Sequence, residues 1–199
     1  MKGSAAPERP IERGGRGEAR RNATEWPRVR LSSVCRVQNG WAFDGEGFST
    51  NTGTPLIRIR DLKTNVCSLR FVGEYPKEYV VRNGDLLIGM DGEFRCYRWR
   101  GGDALLNQRV CRLLPDRERV APGYLHYLLD EFLREIEDRT AFTTVKHLSS
   151  RDVQSLEIPL PPLAEQERIA GRLTEQLGAV ERARAAAAQR QFLDQLDHR

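Results

Sequence analysis

Arg95, Tyr97, Arg98, Trp99 and Arg100 fall within six positions and form the densest concentration of binding chemistry in the chain. Arginines interleaved with large aromatics suit one task well. Guanidinium groups meet phosphates and read guanine bidentately, and the rings stack on bases. A solvated loop carrying one buried Trp is the competing reading of the same residues. Arg58, Arg60 and Lys63 gather three more cations over six positions. Asn107, Gln108 and Arg109 place two amides beside a guanidinium, and Asn or Gln is the side chain that pairs with adenine N6 and N7. Thr143, Thr144, Lys146 and His147 combine small hydroxyls with a cation, a mix fitted to phosphate oxygens. The hydroxyls of that last cluster suit a helix cap equally well.

Catalytic signatures are missing. There is no G-x-x-x-x-G-K-[ST] or G-x-G-x-x-G loop to cradle phosphates, and no G-x-S-x-G elbow. The Asn-Pro-Pro-Tyr-type tetrapeptide of amino-methyltransferases is absent. Pro115-Asp116 followed by Glu118-Arg119 is too closely spaced for a nuclease carboxylate set and lacks its lysine. Asp85, Asp91 and Glu93 are a conceivable metal cluster, but each also fits a turn in which the carboxylate bonds nearby backbone, and the turn reading is preferred. The sequence describes a chain that binds rather than turns over, with no metal and no cofactor of its own.

The elements that must hold these residues come next. With 199 residues, 39% hydrophobic and 30% charged, the chain suits one globular body plus an appendage. Residues 1–24 carry six basic and three acidic side chains, so most of the formal charge of +4 lies there and not in the body. A nucleic-acid partner must therefore be argued from local clusters, not from net charge. Few large apolar residues occur in 1–24, and the segment reads as a disordered basic tail. No apolar run approaches the roughly 18 residues of a membrane span, no signal peptide is visible, and a cytoplasmic, membrane-free protein is expected. Cys35, Cys67, Cys96 and Cys111 form no C-x-x-C pair and read as buried reduced thiols.

Residues 25–161 read as the body. Leu56 to Arg60 alternates as a strand that would set Arg58 and Arg60 on one face. Residues 44–55 read as loop. Asn83-Gly84-Asp85 is a turn signal before Leu86 to Met90, a continuous apolar strand buried on both faces. A further strand is predicted from about Ala104 to Leu114. Pro122 opens an amphipathic helix whose face is Leu125, Leu128, Leu129, Phe132, Leu133 and Ile136. Leu156, Ile158 and Leu160 read as a short strand. Pro161 and Pro162 then introduce one long helix over 162–199, with Glu165 and Glu167 near its positive end. Ile169, Leu173, Leu177, Val180, Phe192, Leu193 and Leu196 form its apolar stripe, and the alanines between 183 and 188 allow close helix pairing. The fold class is α+β: a mixed, mainly antiparallel-sheet body with packed helices, followed by one coiled-coil-type helix.

Leu156–Ala170, with Thr143 to Leu148 ahead of it, resembles the end of a target recognition domain and the start of the spacer helix in type I restriction–modification specificity subunits. Trp26 to Leu31, Gly40 to Phe43, Ile57 to Leu62, Gly84 to Ile88, Met90 to Gly92 and Leu106 to Arg109 match the same family in order, so the resemblance covers about residues 26–196. The resemblance implies a non-catalytic subunit that recognises double-stranded DNA and docks a methyltransferase subunit, with a restriction subunit as a further partner. S-adenosylmethionine, ATP and Mg would then belong to those partners. Family members carry two recognition domains separated by long helices, whereas one of each is present here. A half-length form that homodimerises through its helix would restore the arrangement and read an interrupted palindrome. Two alternatives stay open: a protein-interaction adaptor acting through the helix, and a recognition domain detached from a fused restriction–methylation enzyme.

Overall fold

A computed structural model describes residues 26–139 and 147–197, with 139 and 191–197 described as backbone only. The basic tail and Thr143, Thr144 and Lys146 lie outside the described residues, as do the side chains of Phe192, Leu193 and Leu196. In chain order the elements are β1 (Arg28–Arg30), β2 (Cys35–Asn39), β3 (Phe48–Ser49), β4 (Thr54–Ile57), β5 (Arg70–Phe71) and β6 (Val80–Val81). There follow β7 (Leu86–Gly89), β8 (Cys96–Arg98), β9 (Ala104–Leu106), β10 (Val110–Pro115), α1 (Pro122–Arg139), α2 (Ser150–Ser155), β11 (Glu157–Pro159) and α3 (Leu163–Asp197).

The apolar run of β7 explains the layering. A side chain alternates faces along a strand, so a strand with no polar position needs cover on both sides. Leu86 and Ile88 pack into a core shared with Leu113, Leu125, Leu129 and Leu133, where α1 lies over the sheet β2-β10-β7-β8. Leu87 points the other way, into a core with Val110 of its own sheet and with Ile57, Val81 and Leu106 from the second sheet, β3-β5-β4-β9-β6. Both sheets are antiparallel except for the β4–β9 pair. The predicted apolar face of α1 is the face it buries: Leu125, Leu129 and Leu133 have no exposed surface, with Leu128, Phe132 and Ile136 packed alongside.

Three sequence expectations are corrected. The strand predicted over Leu56–Arg60 stops at Ile57, because Arg58 and Asp61 close a short 3-10 turn. The Arg58 backbone N–H donates to Asp61 Oδ2 at 2.9 Å, and its guanidinium pairs with the same carboxylate. Alternation therefore fails, and Arg58 and Arg60 share no strand face. The strand predicted over Ala104–Leu114 is two strands, β9 and β10, separated by a turn at 107–109. The expected loop over 44–55 contains β3 and the start of β4.

Cys35, Cys96 and Cys111 are buried and free, and burial pushes the Cys35 and Cys111 thiols up to about 12. Cys67 is free but only half-buried, and burial followed by nearby Asp61 raises it to about 11. At neutral pH all four are thiols rather than reactive thiolates.

β1 and β11 pair antiparallel, so the first strand clamps the segment that leads into α3. Pro162 stands just before the helix, and its carbonyl accepts from Gln166 N–H at 3.0 Å. Gln166, in the first turn, is fully buried. Its Oε1 accepts from Ala121 N–H at 2.8 Å, and its Nε2 donates to the carbonyls of Pro161 at 2.7 Å and Arg119 at 3.0 Å. Leu163, Ile169 and Ala170 pack against the main core, and Tyr127 and Thr174 hydroxyls meet at 3.0 Å. Ile169, predicted as a partner-facing residue, thus belongs to the joint between helix and body. Beyond it Leu173 is half-buried, whereas Leu177 and Val180 are 47% and 46% exposed. At 35 residues the helix is roughly 50 Å long.

Candidate nucleic-acid interface

The arginine–aromatic cluster around β8 is dispersed by the fold. Trp99 is fully buried, and its Nε1 donates to the Gly102 carbonyl at 2.6 Å, so it is core and not a stacking platform. Arg95 is committed to Glu137 at 2.6 Å and to the Phe94 carbonyl. Tyr97 is half-buried; burial and then Glu93 raise its hydroxyl pKa. Arg98 is half-buried against the start of α1 near Gly123, and with burial it lowers the pKa of His126. Arg100 remains exposed. Its backbone N–H donates to Asn65 Oδ1 at 2.8 Å, which brings it to the turn that follows exposed Arg60 and Lys63. Arg58 stays outside that group, since its charge is paired with Asp61.

Arg109 of the third cluster and His147, the one described member of the fourth, come together. Asp91, in the loop between β7 and β8, accepts from Arg109 through Oδ2, while His147 Nδ1 lies 2.8 Å from Oδ1. The backbones are joined as well: Met90 N–H donates to the Arg109 carbonyl at 3.0 Å and Leu148 N–H to the Met90 carbonyl at 2.8 Å. Burial alone would raise the Asp91 carboxyl, but hydrogen bonds from His147 and Arg109 outweigh it and hold the carboxyl below its usual range. Gln108, Arg109 and His147 line a polar depression with Asn39, Ser149 and Ser150. Arg109 and His147 side chains are 63% and 59% exposed.

Asn107 departs from its expected role. Its Oδ1 accepts from Gln108 N–H at 2.8 Å, so the amide oxygen shapes the turn and Gln108 is the exposed amide. A helix cap near His147 does exist, but Ser149 provides it with Asp152 in a reciprocal capping box. Asp85 accepts from Arg82 N–H and from Arg112, in a different place from Asp91, and among the described residues no His, Cys, Asp or Glu set is grouped to hold a metal.

Trp41 lies beside these residues although none of the sequence clusters includes it. It is 45% exposed, its ring sits 5.2 Å from that of Tyr79, and it bridges Asn107. Gly40 makes this approach possible: a Cβ there would lie 1.9 Å from the Asn107 carbonyl oxygen. No local sequence signal marks this meeting, since Trp41 and Asn107 lie far apart in the chain and are joined only by the fold.

The body carries Gln108, Arg109 and His147 at one depression, and a long helix leaves it, so the chain has the form of a body and a rod. Comparison with known proteins gives the family. The profile of the type I restriction modification DNA specificity domain matches residues 23–186, and the chain belongs to that family. The specificity subunit of the type I restriction enzyme EcoBI from Escherichia coli is 40% identical over 165 residues, covering 82% of this chain and 35% of the relative. The MjaVIII specificity subunit of Methanocaldococcus jannaschii is 26% identical, covering 75% and 39%. The HsdS subunit from Thermoanaerobacter tengcongensis has the same fold at a TM-score of 0.61 and 23% identity, over 79% of this chain and 39% of that one. A chain from a type I restriction–modification assembly superposes with a TM-score of 0.64 at 23% identity, over 81% and 41%. This chain thus spans well under half the length of the relatives it matches. The EcoBI and MjaVIII relatives are named as specificity subunits, in agreement with the non-catalytic reading of the sequence.

Proposed function

We propose that the chain recognises part of a bipartite double-stranded DNA sequence and directs a methyltransferase subunit to it, with a restriction subunit as a further partner. The observation that carries the reading is the meeting of Gln108, Arg109 and His147, drawn from two separate stretches, at one depression. Arg109 supplies donors for phosphates or guanine, His147 presents its ring edge beside them, and Gln108 supplies the amide that suits adenine. The chain holds no cofactor in this reading; S-adenosylmethionine, ATP and Mg act in the partner subunits. A cytoplasmic location goes with such a role, and among the described residues no helix is long and apolar enough to cross a membrane.

The test is salt-dependent binding to a random-sequence duplex. Phosphate contacts release counterions, so affinity should fall steeply with salt, and Arg109→Ala should flatten the logarithmic slope by roughly 0.9 if one contact is lost. A flat wild-type profile, or a slope unmoved by the substitution, contradicts the reading.

The distal part of α3 is the proposed dimer and partner surface. Leu177 and Val180 stay nearly half exposed on a helix whose earlier stripe is already used by the body. Two copies paired along this stripe would read two identical half-sites in inverted orientation. The particle mass in solution should be twice the 22.7 kDa of one chain, and Leu177→Glu with Val180→Glu should return it to one. A wild-type mass of one chain at high concentration removes the dimer from the account.

A further inference from the structure

We propose that Asp91 is a positioning residue that makes this surface selective: it fixes Arg109 and His147 in one arrangement while its own charge opposes indiscriminate phosphate binding. The inference rests on the DNA-binding reading above.

Arg109 and His147 are both largely exposed, so packing does little to hold them. What holds them is a single carboxylate, 24% exposed and stitched into place by its own backbone bridge to His147. Its hydrogen bonds keep it ionised, and an ionised carboxylate only accepts. His147 must therefore present an Nδ1–H to this carboxylate, which turns Nε2 toward a ligand. Asp91 likewise engages Arg109 through Nη1, one end of its fork of five donors. Two exposed side chains become two aimed groups, which lowers the ordering cost of a contact that fits and none of the cost of one that does not.

The charge has the opposite effect on DNA in general. A carboxylate within several ångströms of a bound phosphate repels it whatever the sequence. Asp91 thus weakens binding to any duplex while sharpening the geometry that a matching duplex meets, and selectivity is the difference between those two affinities.

A purely structural carboxylate would give a different sign. If Asp91 merely propped up the loop, its loss would weaken binding to every DNA. In the proposal, Asp91→Asn loosens Arg109 and His147, because one neutral amide oxygen replaces two charged acceptor oxygens, and it removes the repulsion. The full chain carrying Asp91→Asn should bind a random-sequence duplex about three- to tenfold more tightly than wild type at the same salt. Duplexes retained from a randomised pool should show weaker sequence preference. Asp91→Glu, which keeps the charge, should restore wild-type affinity for random DNA. Weaker or unchanged binding of random duplex by Asp91→Asn overturns the proposal, as does an undiminished preference. If wild type shows no salt-dependent binding at all, the DNA reading itself has failed and this inference falls with it. A wild type that binds, with a variant that merely binds less, refutes the role of Asp91 alone.

Discussion

Trp99→Ala is expected to cost about 3–5 kcal/mol of stability and to leave the intrinsic DNA affinity of the folded protein unchanged. From the sequence Trp99 stands among arginines like a base-stacking residue. In the fold it has no exposed surface, it belongs to the core between the two sheets with Leu87, Leu106 and Val110, and its Nε1 bonds the Gly102 carbonyl. Truncation empties a large volume that rigid strands close only in part, and it leaves that carbonyl without its donor. A body of this size loses roughly 2–4 °C of melting temperature per kcal/mol, so the midpoint should drop by about 10 °C. Thermal unfolding and duplex binding well below the transition separate the two roles. An unchanged midpoint together with lost DNA binding would return Trp99 to the interface.

Gln166→Ala should be nearly as costly, at about 2–4 kcal/mol. One amide satisfies three backbone groups at the joint of α3 and the body: Ala121 N–H and the carbonyls of Pro161 and Arg119. Each buried group left without a partner costs about 1–3 kcal/mol, offset where water can reach it. Gln166→Glu should not rescue. A carboxylate can still accept from Ala121 but cannot donate to the two carbonyls, and it places an uncompensated charge where Gln166 has no exposed surface. Protonation would return one donor, so the Glu variant should recover stability as pH falls, the direction expected of a carboxyl whose folded pKa is raised. Urea unfolding at two pH values measures this, and hydrogen exchange over residues 163–170 should show the first helical turns loosened. A variant within 1 kcal/mol of wild type would mean that the apolar contacts of Leu163 and Ile169 hold the joint without the amide.

Strong local patterns carried the readable part of the fold. The 3.6-residue spacing from Leu125 to Ile136, the unbroken run Leu86 to Gly89, and the proline-led helix from Leu163 each announced an element that is present. What local pattern could not carry was pairing. A strand that continues and one that breaks at Asn107 look alike until β2 presses Gly40 onto the turn. Alternation at Leu56 to Arg60 looked like a strand because nothing nearby reveals that Arg58 closes onto Asp61. The site shows the same limit. Arg109 and His147 were each chosen for their chemistry, but their meeting depends on Asp91, 18 and 56 residues away. Gln166 was legible and missed: it lies three residues after Leu163 and three before Ile169, a polar side chain inside an apolar stripe.

The proposed role of this chain requires that its body read DNA sequence. The most direct measurement is to let the full chain retain duplexes from a randomised pool and to sequence what it keeps. A short fixed motif, repeated in inverted orientation across a gap of constant length, is the predicted result. A retained pool indistinguishable from the input would contradict it.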